Sequence, residues 1–95
     1  MQDTTQRELT ELARLGEEME RILKTESFQT SLTLVRARLF DGWAVAATPK
    51  EREDLHAELR ALERLMEAFR DIDSEGAVAR EAIRRINESN TGLLE

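Results

Sequence analysis

Asp71-Ile72-Asp73-Ser74-Glu75-Gly76 places oxygen donors at the first, third and fifth positions of a stretch that turns on glycine at the sixth, the opening of a calcium loop. Such a loop needs a bidentate carboxylate at its twelfth position, where this chain has Ala82, with Glu81 one residue early. The same residues read instead as a helix stop, an N-cap and an acidic first turn, which the following helix's dipole favours. A second chemical spacing is Glu53-Asp54-Leu55-His56. Glu-x-x-His puts two metal ligands on one helical face, as in di-iron bundles. A homodimer would supply the second copy, and Glu17 or Glu20 the remaining carboxylates. His56 is the one histidine of an acidic chain, so the reading adopted is an exposed histidine beside an apolar seam, with no metal ligand. Arg80, Arg84 and Arg85 form a small basic face, a candidate contact for phosphate or an acidic partner. The alternative is a solvated face that complements a helix C-terminus. Cysteine and tyrosine are absent, and the chain shows no phosphate loop, zinc spacing or nucleophile–base pair. No catalytic residue and no cofactor is therefore expected, and an enzyme is not.

Composition sets the wider frame. A chain of 95 residues and 10.9 kDa is one domain at most, with a thin core. Net charge is −6 and the pI about 4.9, which counts against direct nucleic-acid binding, since phosphate recognition rests on a basic face. No run approaches the roughly 18 apolar residues of a membrane span, and no apolar signal core stands near the N-terminus. Residues 27–48 carry only Asp41 against Arg36 and Arg38, so this weakly charged segment is the natural centre of the fold.

The elements follow from periodicity. Leu9, Leu12, Gly16, Met19 and Leu23 recur at helical steps and predict a helix over about 5–24. Gly16 in that stripe is either a tolerated weak spot or a point of close approach for another helix. Thr25-Glu26-Ser27 interrupts the pattern, and either hydroxyl can cap a second helix over about 27–46. There Phe28, Leu32, Val35, Leu39 and Trp43 hold the helical step. Thr48-Pro49-Lys50-Glu51 is a capping box with proline at the first helical position, and starts a third helix over 49–72. Leu55, Leu59, Leu62, Met66 and Phe69 then follow at alternating steps of four and three. A break at Asp73–Gly76 precedes a short helix over about 75–87, and residues 88–95 form a frayed polar tail ending in Leu94-Glu95, a pair with the form of a vector remnant. The expectation is an all-α fold: helices 27–46 and 49–72 antiparallel, helix 5–24 completing a single domain over 1–87, and the short C-terminal helix beside it.

Second apolar rows, Leu15 with Ile22 and Leu65 with Ile72, widen the helix faces beyond what one seam requires, and Phe40 and Trp43 add aromatic bulk. These six residues are the candidate oligomer or partner interface, and a homo-oligomer is expected. Trp43 stands one turn before the capping box, where it either anchors an interface or covers the junction of helices two and three.

The order of Phe28, Leu32, Leu39 and Trp43, the turn, Glu51-Arg52-Glu53-Asp54-Leu55 and then Leu59-Arg60-Ala61-Leu62-Glu63-Arg64-Leu65 resembles small helical proteins encoded among the packaging and head genes of tailed bacteriophages and phage-derived particles. The resemblance covers roughly residues 9–76. It implies a virion-assembly or DNA-packaging accessory protein, similar to the small terminase subunit that forms rings and presents DNA to the motor. The partner implied is a phage packaging or head protein, and the location is the host cytoplasm or the virion. No ligand residue carries over, and the basic helix-turn-helix of small terminases is absent. The competing reading is a regulatory adaptor, a chaperone or inhibitor, that grips one protein through an exposed helix face.

Overall fold

The computed structural model describes the backbone of residues 2–94 and the side chains of residues 5–90. The described residues are all-helical: α1 spans Gln2–Lys24, α2 spans Glu26–Val45 and α3 spans Pro49–Leu94. The boundaries are chemical. Thr25 alone separates α1 from α2; its extended backbone (φ −69°, ψ 141°) turns the chain, and its hydroxyl accepts from the Phe28 N–H at 3.2 Å. The same hydroxyl donates to the Ile22 carbonyl at 2.9 Å, so one side chain closes α1 and opens α2. At the second junction the Glu51 N–H donates to the Thr48 hydroxyl at 3.2 Å, while the Glu51 carboxylate accepts from the Ala47 N–H at 2.9 Å. This is the expected capping box, with the glutamate reaching one residue further back than the usual pattern.

The third helix departs from expectation. No break occurs at Asp73–Gly76, no separate helix begins at 75, and the backbone of the expected frayed tail remains helical to Leu94; Glu95 lies outside the described residues. The reason is register. The alternating seam from Leu55 through Phe69 continues in phase through Asp73, Gly76, Arg80 and Ile83, each half-buried or buried. Gly76 has no positive φ and stops nothing.

The expected single bundle is replaced by two compact units. One comprises Ile22–Ala68. In it α2 and the first half of α3 run antiparallel, as the pairing of Arg36 with Glu63 and the approach of Gly42 to Leu55 require. Its most buried side chain is Met66, 4% exposed, on the expected seam. The other unit joins the chain up to Arg21 with the chain from Phe69 onward. There α1 crosses α3 at Gly16 and Gly76, both buried. A Cβ added to Gly16 would stand 2.5 Å from the Gly76 Cα and 2.9 Å from the Ile72 carbonyl oxygen, so only two glycines allow this crossing. That contact draws helix 5–24 to the distal part of α3, which is why α1 does not complete a bundle with helices 27–46 and 49–72. Ala79, 1% exposed, packs beside the crossing.

Candidate functional site

The site is built on the Ile22–Ala68 unit. α2 carries few charges, and its apolar residues spread round more than half the helix, so one neighbouring helix cannot cover them. Phe40 and Trp43 fall on its uncovered flank, 61% and 44% exposed, with ring centroids 6.1 Å apart and planes tilted by 34°. With Leu39 of α2 and Leu55, His56 and Leu59 of α3 they line an apolar cleft of about 170 Å³. A broader hollow of about 510 Å³, more polar than the cleft, adjoins it, lined by Trp43, Pro49, Arg52, Glu53, His56 and Arg60. Trp43 and His56 belong to both. The surface is therefore an aromatic centre with charged residues of both signs along its α3 edge.

One helical turn beyond Leu39 and Leu59, the Arg36 guanidinium donates in bidentate fashion to the Glu63 carboxylate at 2.7 and 3.0 Å. That hydrogen bond holds the Arg36 guanidinium above its ordinary pKa.

The other expected interface residues divide between the two units. Leu65 belongs to the same unit as Phe40 and Trp43 and is exposed, as is Ile22 where that unit begins. Leu15, exposed, and Ile72, half-buried, belong to the unit held by the glycine crossing. The structure thus brings Phe40 and Trp43 together in one cleft that none of the remaining four lines. It adds Leu39, Leu55 and Leu59, which sequence reasoning had assigned to the helix–helix seam; their shared exposure to a cleft has no signature in periodicity.

The three arginines of the basic face each meet acceptors within the chain. Arg80 is half-buried, donating to the Ala13 carbonyl at 3.5 Å with its guanidinium 3.8 Å from Glu20. Arg84 pairs with Glu81 at 2.6 Å and with Glu88; Arg85 reaches Glu81 at 3.1 Å. The Arg84 hydrogen bond, joined by Arg85, holds the Glu81 carboxyl down to about 2 against the opposing effect of desolvation, the second-largest influence on it. A phosphate or acidic partner would compete with these carboxylates. In the calcium-like stretch, continuous helix keeps Asp71 and Glu75 on one face and turns Asp73 to the opposite one, so the three cannot wrap round one point. Among the described residues no three His, Asp or Glu side chains converge as a metal site, Glu53 and His56 included. No described helix is long and apolar enough to cross a membrane.

No protein-family model matches the chain, and no curated protein or solved structure is significantly similar to it.

Proposed function

We propose that the chain is a non-enzymatic, self-associating helical protein whose Ile22–Ala68 unit completes its core against a second copy. The observation that supports this is the imbalance of burial. Met66 and Ala79 are the buried hydrophobic residues among those described, whereas Phe40, Trp43, Leu34, Val35, Leu65 and Val45 all stand exposed in one small unit. Apolar surface of that kind on a short antiparallel pair drives association, because each aromatic ring removed from water contributes by its area. The antiparallel bundle expected from the sequence is, on this reading, formed between copies. Virion assembly or DNA packaging of phage type is the setting proposed for this association, and it rests on the sequence resemblance alone.

Sedimentation over a hundredfold concentration range tests the proposal. A mass at least double the 10.9 kDa of the chain is expected. A monomer throughout would refute self-association and transfer the same face to the alternative, an adaptor that grips a different protein.

A further inference from the structure

The occupant of the Phe40–Trp43 cleft is fixed by a coincidence of spacing between the two helices that form it. On α3 the polar hollow presents Glu53 and Arg60, seven residues apart and both exposed; among the described residues neither has an ion-pair partner within the chain. On α2 the apolar cleft presents Phe40 and Trp43, three residues apart. The two cross-helix contacts, Gly42 against Leu55 and Arg36 with Glu63, fix the level of one helix against the other. Interpolating between them, the midpoint of Phe40 and Trp43 stands within one residue's rise, about 1.5 Å, of the midpoint of Glu53 and Arg60. Both pairs edge the same surface, since Trp43 lines the hollow that holds Glu53 and Arg60.

A two-fold axis laid across the helical pair therefore passes close to both midpoints, within the reach of the long Glu53 and Arg60 side chains. In such an isologous contact residue i meets residue j and j meets i. From this geometry we infer that two copies join face to face, α2 antiparallel on α2 and α3 antiparallel on α3, with Phe40 of each copy against Trp43 of the other and Glu53 of each against Arg60 of the other. The register leaves no like charges opposed: Lys50 falls opposite Glu63, Arg52 opposite Ala61, Arg64 opposite Pro49 and Asp41 opposite Gly42. Two reciprocal ion pairs thus flank an aromatic centre of four rings, the arrangement in which buried aromatics supply affinity and rim charges set register. The inference rests on the self-association proposed above and specifies its surface.

Charge reversal tests it in the full-length chain, with dissociation constants measured by sedimentation. Glu53→Arg and Arg60→Glu are each expected to weaken self-association by at least about tenfold, because both reciprocal pairs become repulsive. An equimolar mixture of the two variants is expected to recover affinity to within about threefold of the natural chain, since every opposed pair is then attractive. The double variant behaves likewise. Because the chain lacks cysteine, Phe40→Cys mixed with Trp43→Cys gives an independent reading: under mild oxidation the mixed disulfide dimer should outgrow either homodimer. An associating natural chain whose affinity ignores both reversals, or variants that stay helical yet fail to recover on mixing, would overturn this surface and leave self-association standing. A natural chain that sediments as a monomer would overturn both.

Discussion

Replacing Gly76 by alanine sets two opposed effects against each other, and the structure decides between them. In an unobstructed helix interior the change stabilises by about 1 kcal/mol, since glycine is the poorer helix former. Here the new Cβ would stand 2.5 Å from the Gly16 Cα and 3.0 Å from the Leu12 carbonyl oxygen. Both neighbours are backbone and cannot rotate aside, so α1 and α3 must part by about 1 Å to reach ordinary contact, thinning the packing round Ala79. Overpacking of this kind costs about 1–3 kcal/mol, and because both contacts are with backbone the upper half of that range applies, which outweighs the propensity gain. A net loss of about 1 kcal/mol or more lowers Tm by roughly 4–8 °C per kcal/mol for a chain of this size. Gly42→Ala is the matched control. Its Cβ would meet only the Leu55 methyl carbons, at 3.4 and 3.5 Å, so the propensity gain should survive and Tm should rise by a few degrees. Thermal and urea melts followed by far-ultraviolet dichroism, at one fixed protein concentration, read both. A Gly76→Ala chain as stable as the natural one would refute the glycine crossing, and equal responses at positions 42 and 76 would refute the reasoning that separates them.

Other outcomes follow from the same contacts. Thr48→Ala removes the hydroxyl that accepts from the Glu51 N–H and should cost about 1 kcal/mol in the same melts, whereas Thr48→Ser should cost far less. Trp43, the one tryptophan, is partly exposed, so its emission should shift to the blue as concentration rises through association; Trp43→Ala should raise the dissociation constant at least about thirtyfold while helicity persists. Glu81 is held at about 2 by Arg84 and Arg85, so its contribution to the end of α3 is complete above the ordinary glutamate value near 4.5 and is lost as pH falls through 2. Carboxyl chemical shifts should place its midpoint well below those of exposed glutamates, and Glu81→Gln should remove that pH dependence of amide protection around residues 81–88.

Local chemistry carried the sequence reading further than pattern did. Thr25 and Thr48-Pro49-Lys50-Glu51 marked both junctions, because a cap is written in adjacent residues. The seam from Leu55 to Phe69 was legible because every position on it is apolar. Beyond Phe69 the same seam is occupied by Asp73, Gly76 and Arg80, and a pattern read from hydrophobic residues stops there although the helix does not. Gly16 and Gly76 illustrate the harder case. Each alone resembles a defect or a stop, and only their meeting across sixty positions of sequence gives them a common purpose. Phe40 and Trp43 were identified as interface candidates from type and place; the cleft they share with Leu55 and Leu59 depends on how α2 and α3 are set against each other, which no single helix records.

The scarcity of fully buried side chains also has a calorimetric consequence. Heat capacity increments on unfolding track apolar area exposed, and globular domains average about 12–15 cal/mol/K per residue. A chain whose buried hydrophobic residues, among those described, are a methionine and an alanine should fall short of that average as a monomer, giving a shallow stability curve and a broad melt. Association that covers Phe40 and Trp43 should carry the missing increment, so the heat of dilution of a concentrated sample should change steeply with temperature. If the proposed self-association holds, the sharpness of the thermal transition should be a property of the assembly and rise with concentration.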